Sequence, residues 1–499
     1  MPSIRLTLVN NAKQTQRSGV ILKLDDSTLS DSVDNTILQE IFTLAKNKLR
    51  LKKAKTLFLT NGVELTDPRW LLDGRVAQDS LIYVSCGEGF VGTISKPASS
   101  VAQSNILDDQ MTERKESASI TVLARSSYVD PESIIQLNKT ALLPGMQQVI
   151  GQPDLHPGNL YPIGASFITH KYIYPALIGN DIGCGMAFYK TKLSSNIKPQ
   201  KIVDRLHGIE GRWQEGDPQS FLTSILGPDH AQTGSAHSDQ LGTVGGGNHF
   251  AEFVIIEKLV DQDLCANFGL TESHTYLIVH SGSRRFGQTV LEEAASNMPG
   301  GTHKGIEADS DVGRTYLEQH DRACAWARVN RELIAHRVLS KLNSEESAEK
   351  ILDIWHNNVE RKQIEGLGDC WVHRKGAAPS DRGLVVIPGS RGHHSYLVMP
   401  QGSQNLNGFS LAHGAGRLLP RAKALQKRPQ ASKSSAITAM QTTDLGSSVI
   451  CEDTNLLFEE QPAAYKDISA VITDLEPFVK VIAILRPICT YKMRKEERS

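Results

Sequence analysis

One aperiodic stretch does most to limit what this chain can become. Residues 93–117 (VGTISKPASSVAQSNILDDQMTERK) are polar and repeat apolar residues at neither helical nor strand spacing. Such a segment has no face to bury, so it predicts a linker. It leaves a small N-terminal domain over residues 1–92 and a large one over residues 118–499. The total of 499 residues suits several domains at one per ~150 residues. It is also enough to bury a sizeable core without disulfides.

The expected class is α+β. In the small unit, IRLTLV (4–9) and GVILKL (19–24) are β-type runs around a polar turn. Thr36 to Leu49 carries Leu38, Ile41, Phe42, Leu44 and Leu49 at helical spacing. TLFLT, an Asn61-Gly62 hairpin signal, VEL and LIYVS follow. Two strands, a helix and further strands resemble a ubiquitin-like β-grasp fold. The large domain mixes β-type runs (SITVLA, YLIVHS, GLVVIPG) with helices. The clearest helix runs from Thr315 to Leu342, with Leu317, Ala323, Ala327, Leu333 and Val338 in step.

Charge is balanced, 54 Lys+Arg against 55 Asp+Glu, so any nucleic-acid surface must be local. The most basic segment is 418–438, with Arg421, Lys423, Lys427, Arg428 and Lys433. The seven cysteines are scattered and odd in number, which argues against a disulfide framework and for a reducing compartment. Cys265, Cys324, Cys451 and Cys489 read as small core residues. No apolar run approaches the ~20 residues of a membrane span, and MPSIRLTLVNNAKQ lacks a secretion signal. The expected location is cytoplasmic, with the nucleus as the alternative, and no membrane partner is expected.

Chemistry concentrates in Gly-rich segments: GNDIGCGM (179–186), GTVGGGNHFAEF (242–253), VHSGSRRFG (279–287) and HRKGAAPSDRG (373–383). PGSRGHHSY (388–396) and LAHGAGR (411–417) follow. Glycine clusters let backbone approach a ligand and aim N–H groups at anions. Asp181 and Cys184 lie three apart in one turn, and His249, His280 and His373 sit in three other loops. Thiolate and imidazole favour Zn²⁺, while carboxylate and water favour Mn²⁺ or Mg²⁺, so ligand type leaves the metal open. GTVGGG does not meet the G-x-G-x-x-G dinucleotide pattern, and a Walker A loop is absent.

Taken together and in order, Asp181 to Met186, Asn248 to Glu252, His280 to Arg284, His373 to Ala377, Pro388 to Ser390 and His413 to Arg417 resemble the RtcB family of RNA ligases. The resemblance covers about 119–492. LPGMQQVIGQPDLHPG and YPALIGNDIGCGM look closer to its release-factor-H-coupled branch than to its tRNA-splicing branch. It implies a site for two Mn²⁺ ions bridged by Cys184, with Asp181 and His249 on one ion and His280 and His373 on the other. It implies that His413 takes GMP from GTP. Contacts to the nucleotide would come from Asn248, His249, Phe250, Ala251 and Glu252, then His373, Arg374, Pro388, Gly389, Ser390, Arg391 and Ser395. Gly414, Ala415 and Gly416 would add to them, and Lys492 would read the guanine. Arg284, Arg417 and Arg421 are implied RNA contacts. The implied reaction joins RNA 3′-phosphate or 2′,3′-cyclic phosphate ends to 5′-hydroxyl ends, in RNA repair or tRNA splicing. The N-terminal unit would then be a protein-interaction or substrate-adaptor module.

This chain departs from the family pattern at Arg391, where many members carry Met. It also has His393-His394 next, Leu411-Ala412 before the nucleophile, and Pro420 after Arg417. Two readings compete: a metal-dependent phosphohydrolase or phosphodiesterase without a role for His413, and a non-catalytic RNA-end-binding protein.

Overall fold

In the computed structural model the described residues are 3–13, 16–23, 36–51, 53–59, 64–66, 80–88, 118–228, 235–296, 304–426 and 433–494. The expected linker 93–117, the Asn61-Gly62 turn, Lys427 and Arg428 lie outside them, as does the side chain of Lys433. The chain divides into two compact units, Met1–Leu107 and Asp108–Ser499.

In the first unit the strands Arg17–Lys23, Ser3–Asn10, Ser80–Ser85 and Thr56–Phe58 lie side by side in that order. Ser3–Asn10 and Ser80–Ser85 run parallel, and the outer pairs are antiparallel. The helix Thr36–Lys48 turns Leu38, Ile41 and Ala45 into a core with Leu6, Leu8, Val20, Ile82 and Val84. Phe42 and Leu44 are only partly buried at its flank.

The second unit is built on two large sheets. One takes the strands Glu349–Trp355, Gly185–Ser194, His274–Ser281, Phe250–Leu259, Val479–Met493, Ser395–Pro400 and Val385–Ile387 in that order, with Ser448–Cys451 parallel to Val479–Met493. The other takes Asn357–Ile364, Gly368–Lys375, Ile163–Thr169, Met146–His156 and Ser119–Val122. The SITVLA, YLIVHS and GLVVIPG runs all fall on these strands.

The long helix spans Asp311–Ser340 and starts four residues before the expected Thr315. Ser310 explains the earlier start. Its hydroxyl accepts from the Gly313 amide at 3.0 Å and satisfies one of the otherwise unpaired first-turn donors. Ala323 and Ala327 keep one side of this helix thin, so a loop can pack on its backbone. At Gly183 (φ +71°) a Cβ would stand 2.8 Å from the Cys324 Cα, so neither the dihedral nor the space admits a side chain. In the basic segment, Pro420 directly precedes a short helix, Arg421–Gln426, a place where its missing N–H does no harm. Cys265, Cys324, Cys451 and Cys489 are buried and unbridged, as their sequence context predicts. No helix among the described residues is long and apolar enough to cross a membrane.

Candidate active site

Four neighbouring antiparallel strands bring their ends to one place. In the register His280 faces both Met186 and Phe250, and Gly185 faces Trp355. Cys184 therefore precedes one strand, His249 precedes the next, His280 closes a third and His356 follows the fourth. The sheet converts four distant sequence segments into one cluster of donors.

The donor atoms form a chain. Asp181 Oδ2 lies 2.9 Å from His249 Nε2, which is 3.4 Å from Cys184 Sγ. Cys184 Sγ is 3.3 Å from His280 Nε2, and His280 Nε2 is 3.2 Å from His356 Nε2. Cys184, His249 and His280 make a buried group that could hold a metal ion. His249 Nδ1 donates to the Val244 carbonyl at 3.1 Å, so its Nε2 presents a lone pair to the cluster. Burial, then neighbouring imidazoles, push His280 and His356 well below the ordinary histidine range. Their Nε2 atoms face one another at close range, an arrangement that suits a cation between or beside them. Burial and the Asp181 carboxylate push the Cys184 thiol up, and a bound divalent cation would reverse that. Burial acts to raise Asp181 too, but the His249 imidazole, the Cys184 thiol and the Arg284 guanidinium together outweigh it and the net shift is downward. At Gly282 a Cβ would come within 2.3 Å of Asp181 Oδ1, so glycine leaves that carboxylate its room.

His373 does not join this chain, and the expectation for it is corrected. It lies on Gly368–Lys375, where its Nε2 accepts from the Tyr174 amide at 3.0 Å and its Nδ1 donates to the Phe167 carbonyl at 3.3 Å. Both ring nitrogens are taken by backbone. His356 occupies the place expected of it. The sequence cue for His356 is weak, because it follows an apolar strand in IWHNN rather than standing in a Gly-rich loop. Its backbone is nonetheless built into the site. His356 N donates to Cys184 O at 2.7 Å, and Gly183 N donates to Asn357 O at 2.8 Å.

The long helix holds these loops from behind. Arg331 donates to Gly183 O at 2.8 Å and Ser281 O at 2.9 Å, and it pairs with buried Asp353. Asn330 takes the Gly242 amide at 2.7 Å and donates to Gly282 O at 3.0 Å.

His413 stands beside the donors, its ring centroid 4.7 Å from that of His356. Asp154, at the end of Met146–His156, accepts from His413 Nδ1 at 2.6 Å and from the His413 amide at 3.2 Å. A carboxylate accepts, so Nδ1 carries the hydrogen and Nε2 presents a lone pair. The cue for Asp154 was available in QPDLHPG, an acid and a histidine just before a Pro-Gly break.

A cavity of about 820 Å³ opens over His413 and the donors. Asn248, Phe250, Glu252, residues 388–391, residues 413–416 and Lys492 line it. Burial raises the Glu252 carboxyl to about 7, and Thr490 donates to it. Burial lowers Lys492, whose ammonium donates to Gly247 O at 3.0 Å and His249 O at 3.3 Å. Glu460, also on the wall, lies 3.8 Å from Lys492.

Other expected contacts are placed behind the lining. Ala251 points into the core, and Ser395 accepts from the Gly389 amide at 3.3 Å. Arg374 is fully buried and held by Glu360 at 2.7 Å, Ser410 at 2.9 Å and the Phe409 carbonyl at 3.0 Å, so its guanidinium does not reach the cavity. Arg417 lines the cavity, but Glu460 at 2.9 Å and the Glu459 carbonyl at 2.8 Å hold it. It braces the wall. Arg421 is half exposed at the rim. Arg284, at φ +58°, packs its guanidinium where a Gly245 side chain would stand and donates its amide to Asp181 Oδ1 at 3.3 Å.

The family model for tRNA-splicing ligase RtcB matches residues 136–221 and 222–493. The RNA-splicing ligase RtcB2 of Escherichia coli strain ATCC 25922 is 43% identical over 378 residues, which are 75% of this chain and 96% of that protein. The RNA-splicing ligase RtcB of Escherichia coli K12 is 27% identical over 430 residues, 76% of this chain and 98% of that protein. The tRNA-splicing ligase RtcB of Archaeoglobus fulgidus is 27% identical over 444 residues, 72% and 91% of the two chains.

Proposed function

Because the chain belongs to the RtcB family of RNA ligases, we propose that it seals RNA 3′-phosphate or 2′,3′-cyclic phosphate ends to 5′-hydroxyl ends. GTP is the co-substrate, and GMP passes through His413. Repair of broken RNA or tRNA splicing is the setting. The observation that carries the reading is the continuous chain of donors from Asp181 through Cys184 to His356, with His413 next to its end.

The donor set fits two divalent ions around a central thiolate. Asp181 and His249 lie on one side of Cys184, and His280 and His356 on the other. Carboxylate, imidazole and thiolate together are compatible with Mn²⁺. Bound there, such ions would offset charge on phosphoryl oxygens. The remaining work belongs to the protein. Asp154 fixes the His413 ring, so that Nε2 can attack the α-phosphorus of GTP. A nitrogen–phosphorus bond forms and pyrophosphate leaves. The buried Glu252 and Lys492 offer an acceptor and a donor for the edge of a guanine. A terminal RNA phosphate then takes GMP from His413, and a hydroxyl displaces GMP from that activated end. Arg421 and Arg284 are the proposed contacts to RNA phosphates.

For the N-terminal unit we propose the ubiquitin-like β-grasp, supported by its strand order and by the parallel pairing of its first and last strands. Its proposed role is to bind a protein or to present substrate.

The polarity of joining tests the reading. Given GTP and Mn²⁺, the protein should join an RNA pair with 3′-phosphate and 5′-hydroxyl ends. Joining only a pair with 3′-hydroxyl and 5′-phosphate ends would refute it.

A further inference from the structure

Asp154 organises two imidazoles, and only one of them has a part in the reaction so far. Its side chain holds His413. Its backbone carbonyl is 2.8 Å from His156 Nδ1. A carbonyl can only accept, so in the neutral ring the hydrogen sits on Nδ1 and Nε2 has a lone pair. His156 lines the same cavity as His413, and no residue among those described pairs with its Nε2. The ring is kept neutral mainly by burial, which lowers it to about 4. Asp154 opposes this, while nearby His413 and Lys466 add to it.

The carbonyl that sets this tautomer is itself fixed. Lys466, buried beneath the strand end, donates to Pro153 O at 3.1 Å and to Leu155 O at 2.6 Å. It thereby holds the carbonyls of the residues on either side of Asp154. Gly416 makes the room, since a Cβ there would lie 2.2 Å from Asp154 O.

The sealing step needs a proton acceptor, because an alcohol must lose its proton as its oxygen bonds to phosphorus. The carboxylates lining the cavity already hold partners. Asp130 takes the Glu132 amide, Asp181 takes the Arg284 amide, Glu252 takes Thr490, and Glu460 takes Arg417. His280 and His356 belong to the donor chain. We infer that His156 is the general base of the sealing step, with Nε2 receiving the proton of the RNA 5′-hydroxyl. The hydroxyl oxygen bonds to the activated 3′ phosphorus, and the bond from that phosphorus to GMP breaks. GMP leaves with the electron pair, and His156 later returns its proton to solvent. With Nδ1–H already given to the Asp154 carbonyl, the remaining nitrogen is an acceptor and suits a hydroxyl better than a phosphate.

This inference rests on the ligase reading, and the test separates the two. GMP attachment to the protein, transfer to a 3′-phosphate, and sealing of an RNA already carrying a 3′-linked GMP are measured on wild type, His156→Ala and His156→Gln. Glutamine keeps a hydrogen-bond acceptor but cannot take a proton. Both variants should slow sealing of the activated end about 10²-fold, with a much smaller change in GMP attachment. Imidazole added to His156→Ala should recover part of the sealing rate. Sealing at the wild-type rate by either variant overturns the inference. A fall in GMP attachment that matches the fall in sealing overturns it too, by making His156 a support for His413. If wild type forms no GMP adduct, the ligase reading has failed instead.

Discussion

His356 and His373 illustrate what makes a histidine available to a metal. Each lies beside a strand end in a chemistry-rich region, and each is buried. The backbone claims both nitrogens of His373, whereas His356 directs Nε2 toward His280. Position in the sheet decided this, and no local pattern reveals it. Replacing His356 by Ala should therefore remove one of two bound divalent ions and abolish activity. Replacing His373 by Ala should keep both ions while loosening the contact to Tyr174. Metal analysis after exhaustive dialysis checks the pair, and equal metal loss in both variants would contradict the assignment. Asp181, Cys184, His249, His280 and His413 were legible because glycine and ligand residues stand together in their segments. Asp154 and His356 were not read as site residues, because each joins the site through a side-chain contact to a distant segment, His413 for Asp154 and His280 for His356.

Helices and strands were legible wherever period and caps agreed. The long helix shows the limit. Its apolar repeat predicts a core-facing element, but its function also rests on two polar side chains, Asn330 and Arg331. These satisfy loop carbonyls that would otherwise be buried without partners. A helical repeat gives no hint of that, because it reports which face is apolar and not what a buried arginine touches. Arg331→Met should remove three interactions at once and leave Asp353 buried without its counter-charge. The cost expected for breaking a buried pair is about 3–5 kcal/mol. Chemical denaturation should show that loss, and metal affinity should fall with it, since Arg331 holds the carbonyls of Gly183 and Ser281. Unchanged stability would mean that these loops are held by other means.

At the scale of the molecule, two units with separate cores share one chain. Every donor in the cluster, His413 and the cavity lining lie in the second. A chain starting at residue 108 should therefore fold and take up GMP as the full chain does, as followed by labelled nucleotide. Loss of uptake by a folded protein of that length would assign the first unit a place in the active site. Retained uptake with lost joining would instead make it a substrate adaptor. The central claim, that the donor chain and His413 form one nucleotidyl-transfer site, is tested most directly by covalent labelling. The protein is incubated with α-labelled GTP and Mn²⁺, denatured and resolved. The account predicts label on wild type, released by acid as expected for a phosphorus–nitrogen bond, and no label on His413→Ala. An unlabelled wild type, or a His413→Ala protein that still carries GMP, would contradict it.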